Sequence, residues 1–587
     1  GLFISIKLDR DERPDIDRRY QQAVAAMGGG SGWPLSVFLT PDRRPFYGGT
    51  YFPPEDRDGR PGFKKILIAI HDFYRSKRDD AVRYSHRVME TLRPEPMQAK
   101  DADETLVAEA ERALLAQFDM KSGGFGTAPK FPMTAALGFL IRRSLVSENP
   151  AAGQAARKML DAMAQGGFHD QIGGGFHRYS VDESWIIPHF EKMADDNAGL
   201  LRNYLDGYAV FGDERYREAA LDTIRFTREV LSDPGGGFYG SQDADVTPDD
   251  EGGYFTWTEE EFRKLLDAEE YAILSAYLLH PEGSMHHDPA KKVLFVKRTL
   301  PDLARSLGKS VEEAGRVIES GREKLRAARA LRETPLIDRE FYTSMNGMLI
   351  SSYFHAYAVL GEEEVRAFAE RSLDRILKER LSDHALLHTE GIPAVLDDYV
   401  HLIDALVSGY EATAEDIYLA KADELMAACM EKFYDKQEGG FFDTESEVLG
   451  TRLKRMEDVP QSSANALAVL VLMKLALMTG KDEYRSAARR TLGIFSELAR
   501  EIGAHAGAYF TSLDASFRML KLTVEAPAES GLARAARAVA GKAYTAVVYG
   551  EDRGRVIPCK GTVCFEPVVD PATLENICLR LAISAPV

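Results

Sequence analysis

The chain has 587 residues, 45% hydrophobic and 28% charged, with a formal net charge of -19. That length exceeds one hydrophobic core and implies two or three domains of an ordinary globular protein. The acidic balance, without a long Lys/Arg block, argues against nucleic acid or an anionic membrane surface as a main partner. No run of about 18 apolar residues is present to span a bilayer.

The first 76 residues predict a small α/β segment. Leu2–Leu8 is a β-rich run, Asp15–Met27 has helical spacing, and Gly32–Thr40 is an apolar run ending in a Pro-Asp turn. Tyr47–Pro54 fits an edge strand. So few strands leave a sheet incomplete, so a further segment upstream is expected.

From about Lys77 the pattern becomes helical and repeats. Residues 209–220 (AVFGDERYREAA), 358–369 (AVLGEEEVRAFA), 411–422 (EATAEDIYLAKA) and 478–489 (MTGKDEYRSAAR) each end one helix, turn tightly and start the next with acids. Acids suit the positive end of a helix. A second signal is glycine before an aromatic, at 123–126, 173–177, 235–240, 439–444 and 507–511, with 384–389 (HALLHT) in the equivalent place. Six helical hairpins predict a mainly α (α/α)6 toroid over residues 77–519, with an insertion near 252–343. The long glycine-aromatic connections should gather at one end, and the inner helices should start there. Asp195, Asp196 and Asn197, Ser344 and Asn346, Asp397 and Asp398, and Ser462, Ser463 and Asn465 fall at those starts. Simple N-capping accounts for one such residue per helix but less well for doublets. Residues 520–587 read as a small α/β appendage.

The stretch 166–197 (GGFHDQIGGGFHRYSVDESWIIPHFEKMADDN) is the densest in chemistry. Imidazole, carboxylate and guanidinium side by side suit acid–base work on a polar small molecule. His177, His189 and Glu191 are the first catalytic candidates, with Arg178 to hold a substrate oxygen; His169 is weaker. Asp243 and Asp245 follow the third glycine-aromatic turn and offer carboxylates for hydrolysis. Tyr179, Trp185, Trp257 and Tyr399 are candidate stacking faces for a sugar, and Asp196, Asn197, Asn346, Asp397 and Asp398 candidate hydroxyl binders. Residues 243–252 (DADVTPDDEG) fail the calcium-loop template at Pro248, and no metal or cofactor is expected. Four cysteines suggest a reducing, cytoplasmic setting, with Cys559, Cys564 and Cys578 as reduced thiols.

Residues 6–17, 31–40, 48–55, 130–132, 174–193 and 242–245 together resemble the YyaL-type, spermatogenesis-associated thioredoxin-like proteins, over nearly the whole chain. The resemblance implies a thioredoxin-like domain, here partial, before a six-hairpin barrel similar to those of N-acylglucosamine 2-epimerases, cellobiose epimerases and several glycosidases. It implies histidine proton-transfer groups and an arginine near the substrate oxygen. Two departures stand out. The family's Cys-x-x-Cys motif is missing, since no cysteine precedes Cys429, although Pro34 resembles the proline beside that dithiol. Met345 stands where relatives tend to have Trp. The expected function is that of a sugar epimerase or isomerase, or a glycosidase, acting on a small saccharide. The alternative is a non-catalytic ligand- or client-binding module coupled to a thioredoxin-like domain.

Overall fold

A computed structural model describes every residue except 1, 58, 94, 95, 148, 248, 249, 383, 384, 460 and 585–587. Pro248 and His384, used in the sequence reading, lie outside the described residues. The chain divides into two compact units, residues 1–97 with 430–455, and residues 98–429 with 456–587.

The first unit holds the helix Pro14–Ala26, an antiparallel hairpin of Ser36–Leu39 and Pro45–Gly49, and the helices Phe63–Ser76 and Arg78–Thr91. Phe38, Phe46, Ile66 and Ala81 form its core. Arg19 is its deepest charge. It donates to both carboxylate oxygens of Asp443 at 3.0 and 3.1 Å and to the carbonyls of Asp15, Val448 and Thr451. The Trp33–Pro34 peptide is cis. Leu2–Leu8 is not a strand: residues 2–8 take no regular structure, and Ile4 and Ile6 are exposed. The described hairpin pairs only with itself, so those backbone groups have no neighbouring strand to bond.

The second unit is the (α/α)6 toroid. Among its described residues, six helices form an inner ring: Thr134–Val146, Ala194–Phe211, Thr343–Leu360, Leu396–Thr413, Ala464–Thr479 and Gly507–Arg518. Each packs on the next, and the last packs back on the first. Gly347 and Gly507 permit the closest approaches. A Cβ on Gly347 would lie 2.6 Å from the backbone of His401, and one on Gly507 2.3 Å from the backbone of Ala136. The inner helices starting at Ala194, Thr343, Leu396 and Ala464 end in left-handed turns at Gly212, Gly361, Ala414 and Gly480, which reverse the chain into outer helices. Returns from outer to inner helices are mostly long. The exception is the sixth: residues 507–511 are the first turn of a helix, and Gly507 serves packing rather than a loop.

Ring closure is ionic. Arg143 (7% exposed) donates to Glu111 at 2.8 Å and Asp514 at 3.2 Å, and Arg518 donates to Asp514 at 2.9 Å and contacts Glu104. First outer, first inner and last inner helix are thereby joined. The insertion has its own core around Trp257, Phe262, Leu274, Leu278 and Leu325.

Residues 520–587 form a four-stranded sheet in the order Thr545–Tyr549, Leu520–Glu525, Arg555–Lys560, Val563–Cys564, with the helices Gly531–Ala538 and Pro571–Ile583. Cys559 and Cys564 face each other in register and are disulfide-bonded. This corrects the expectation of reduced thiols there; Cys578 is a free, buried thiol. No helix among the described residues is long and apolar enough to cross a membrane.

Replacing Arg143 by Leu strands the buried Glu111 and Asp514 carboxylates. The expected loss is about 3–5 kcal/mol, read by urea unfolding of the full chain. An Arg143→Leu protein as stable as the parent would contradict the ionic closure.

Candidate functional site

The inner ring encloses a cavity of about 220 Å³ lined by residues of all six inner helices. The lining follows helical stripes. On Ala194–Phe211 the stripe is Asp195, Gly199, Arg202, Asn203 and Asp206, with Asp196 and Ala198 beside it; on Thr343–Leu360, Met348, Ser351 and Ser352; on Leu396–Thr413, His401 and Asp404. Spacings of three and four put each set on one helix face. These helices are buried on their other faces, so a polar stripe on them marks the lumen.

The polar groups are interlocked. Ser351 donates to Asp404 at 2.5 Å, and Arg202 lies 3.2 Å from the Ser351 hydroxyl and 3.8 Å from Asp404. Arg142 donates to both oxygens of Asp206 at 3.0 Å, and His355 donates to Asp206 at 2.7 Å. Burial works to raise the Asp206 carboxyl, but Arg142 and His355 outweigh it and hold it below its usual value. Gln461 donates to Asp195 at 2.5 Å. Burial lowers the His401 ring, against the pull of Asp397 and Asp404, so it is neutral near pH 7.

Three enclosed atoms on lining residues lack a hydrogen-bond partner: Arg142 Nη1, Asn203 Oδ1 and His401 Nε2. Each such atom costs about 1–3 kcal/mol. None of the three is accessible from the cavity, so they sit within its wall.

Of the residues singled out in the sequence, Asp195, Asp196 and Ser462 line the cavity. Arg178, Tyr179, His189 and Glu191 form a cluster just before the helix that carries Asp195 and Asp196. Arg178 pairs with Glu191 at 2.6 Å, His189 lies 3.6 Å from the same oxygen, and Tyr179 stacks on His189 with centroids 5.0 Å apart. Burial opposes the Glu191 charge, yet His189 and Arg178 hold its pKa at about 2. Arg178 also feels Asp196 and Asp195.

The others lie outside the cavity lining. His177 is buried, hydrogen-bonded through Nδ1 to the Phe190 carbonyl at 2.8 Å and edge-on to Phe190 and Phe255. Burial, aided by the Lys192 charge, drives its pKa well below the usual value. Beside it, Asp170 accepts from Lys192 at 2.7 Å and Arg329 at 2.9 Å, and burial brings Lys192 to about 8. Asp243 is exposed, and Asp245 accepts from the Gly252 amide at 3.0 Å. Trp185 is buried, with its indole on the Gly123 carbonyl at 2.9 Å; Trp257 is buried in the insertion under Arg332. Asn197 clamps Phe176, accepting from its amide at 2.8 Å and donating to its carbonyl at 2.9 Å, and Asn346 does the same to Phe238 at 2.7 and 3.0 Å. These amides pin glycine-aromatic turns to the helices that follow, a role neither capping nor ligand binding describes. Asp398 accepts from His388, Ser344 and Val395. Asp397 and Tyr399 are buried.

The sequence reading missed Arg142, Arg202, Asn203, Asp206, His401, Asp404 and Tyr544 as candidate site residues. The signal for most of them was the polar stripe at helical spacing inside otherwise apolar helices. Among the described residues, no group of three or more His, Cys, Asp and Glu is arranged to hold a metal ion.

The protein-family profile Thioredox_DsbH (Protein of unknown function, DUF255) matches residues 1–93. Over 573 residues the chain is 33% identical to human spermatogenesis-associated protein 20, covering 89% of this chain and 73% of that protein. The chain belongs to the spermatogenesis-associated protein 20 family. A member from Mus musculus is 32% identical over 575 residues, covering 89% of this chain and 72% of that protein. Among solved structures, a cellobiose 2-epimerase from Bacillus thermoamylovorans is 10% identical with a TM-score of 0.42, over 66% of this chain and 86% of that one. A GH76 α-mannanase from Bacteroides thetaiotaomicron is 11% identical with a TM-score of 0.44, over 71% and 96%. Likenesses this distant carry nothing about activity.

The buried histidines give a pH prediction. His169 is lowered by burial to about 4, and His177 is held well below its usual value. The unfolded chain therefore takes up more protons below about pH 6.5. Stability from these rings is complete above that pH and is lost as pH falls from 6.5 toward 4, at about 1.4 kcal/mol per pH unit for each ring. Urea unfolding between pH 8 and 4.5 should show a plateau and then a fall, and His177→Asn should flatten the fall. A variant with an unchanged slope would contradict the buried, neutral state.

Proposed function

We propose that the central cavity binds a small saccharide or a related polyhydroxylated molecule and moves a proton on it, as a sugar epimerase or isomerase does. The observation that carries this reading is the cavity inside the ring, lined by the polar side chains of Asp195, Asp196, Arg202, His401 and Asp404. A ligand rich in hydroxyls donates and accepts along such a lining.

His401 is the proton-transfer group. A neutral ring on the cavity lining can take a proton from carbon, and its neighbours Asp397 and Asp404 favour the charged ring that results. Asp195, Asp404 and Arg202 bind hydroxyls and the oxygen on which charge develops. Asp196, Arg178, Tyr179, His189 and Glu191 receive the ligand at the mouth. Hydrolysis is the less favoured chemistry. It needs a carboxyl that keeps its proton near neutrality; Asp206 on the lining is held below its usual value, and Asp458, raised by burial to about 7, is held by the Ser463 and Ala508 amides and is not on the lining.

Proton abstraction leaves a mark that does not require the product to be known. The full chain, incubated in D2O with a panel of mono- and disaccharides, should exchange a carbon-bound hydrogen of one sugar class, read by NMR. His401→Gln should slow that exchange by about 100- to 10,000-fold. Exchange that survives His401→Gln would sink the assignment of the base.

A further inference from the structure

Residues 520–587 carry a disulfide that their fold does not need. Cys559 and Cys564 face each other in register on the antiparallel strands Arg555–Lys560 and Val563–Cys564. The backbone already closes that hairpin. The Lys560–Val563 pair lies between the cysteines and the turn, and beyond them the Phe565 amide donates to the Pro558 carbonyl at 2.9 Å. A cross-link stabilises most when it closes a long loop, and this one encloses only residues 560–563. The hydrophobic core of the segment includes Leu520, Leu522, Val524, Val547, Val556 and Leu574, and both bonded cysteines stand outside it.

The two sulfurs differ in access. Val563–Cys564 is the edge strand of the sheet, and Cys564 is exposed, whereas Cys559 is buried on the neighbouring strand. An approaching thiolate therefore meets Cys564, and Cys559 is the leaving group. The remaining cysteines, Cys429 and Cys578, are buried, and burial raises both thiols, Cys578 to about 12. Neither supplies a thiolate, so the nucleophile comes from outside these residues.

We infer that Cys559 and Cys564 form a thiol–disulfide exchange site, entered at Cys564 and served by a protein dithiol. One thiolate of the dithiol attacks the Cys564 sulfur. The bond between the cysteines breaks, a mixed disulfide forms, and Cys559 leaves as a thiolate that takes up a proton. The strand ladder keeps Cys559 opposite Cys564, so it returns readily and expels a single thiol such as glutathione. A dithiol escapes that reversal. Its second thiolate attacks its own sulfur in the mixed disulfide and releases Cys564, which is protonated in turn. Two electrons and two protons pass to the cysteine pair, and the dithiol becomes a disulfide; the reverse sequence reoxidises the pair. The inference is independent of what the central cavity binds.

The test uses the full chain in its oxidised form. It is incubated with a thioredoxin, its reductase and NADPH, or with glutathione, its reductase and NADPH, at equal thiol concentration. Alkylation and mass spectrometry then count the free thiols at 559 and 564. The thioredoxin should open the pair about 100-fold faster than glutathione, and the reduced chain should keep the urea midpoint of the oxidised one. Single Cys559→Ser and Cys564→Ser variants leave one thiol of the pair each. The Cys564 thiol should react with an aromatic disulfide reagent about 10-fold faster than the Cys559 thiol. A pair that the thioredoxin leaves closed, or that glutathione opens as fast, overturns the exchange site. A large fall in the urea midpoint on reduction overturns it as well, because the bond would then be structural. Equal reactivity of the two thiols overturns entry at Cys564.

Discussion

The closed ring of inner helices is the constraint on which the rest depends. Inner and outer helices alternate along the chain, so the inner helices point the same way, and Gly507–Arg518 packs back on Thr134–Val146 to close the ring. Their N-terminal amides then gather at one end, where a partial positive charge favours carboxylates. Asp195, Asp196, Asp397 and Asp398 stand there. The buried bonds of Arg143 and Arg518 with Glu111 and Asp514 hold that closure. A buried ionic joint is a costly way to gain stability, but it specifies which helix meets which.

Closure also decides where chemistry can sit. Six tightly packed helices leave a lumen lined by side chains of all six, joined by Gln461 and Ser462 from the connection before the fifth and by Tyr544. The lumen keeps Arg142, Arg202, Asp206, Asp404 and His401 where an apolar filling would pack more simply. Most of their polar atoms are matched to one another; Arg142 Nη1 and His401 Nε2, with Oδ1 of the neighbouring Asn203, are buried without a partner. A protein tolerates such defects where the site serves something other than stability. The C-terminal segment belongs to the same logic, because it packs on the inner helices and contributes Tyr544 to the lining.

Much of this architecture is legible in the sequence because it repeats. The inner-to-outer turns share a pattern that ends in Gly212, Gly361 and Gly480, and the structure puts a left-handed residue at each. The density of polar groups in residues 166–197 also has a structural meaning. Part of it is the rim cluster of Arg178, His189 and Glu191; the rest, His177, Asp170 and Lys192, is a buried ion network packed against the insertion. Sequence cannot separate these two fates, because burial of a loop side chain depends on partners such as Arg329 and Phe255 that are far away in the chain. Asn197 and Asn346 illustrate the same limit. Their position suits a cap or a ligand, and only the fold reveals the turn each one clamps. The lumen residues were hidden differently. His401 and Asp404 lie in a helix that is apolar on its other faces, where a lone polar residue reads as a packing exception until the ring is closed.

The most direct test of the account is to see where a bound sugar lies. Crystals of the full chain soaked with the mono- or disaccharide that shows hydrogen exchange should carry density inside the ring, between Asp195 and Tyr544, with His401 in contact. Density confined to the outer surface or to the loops around His177 and Asp243, with an empty lumen, would contradict it.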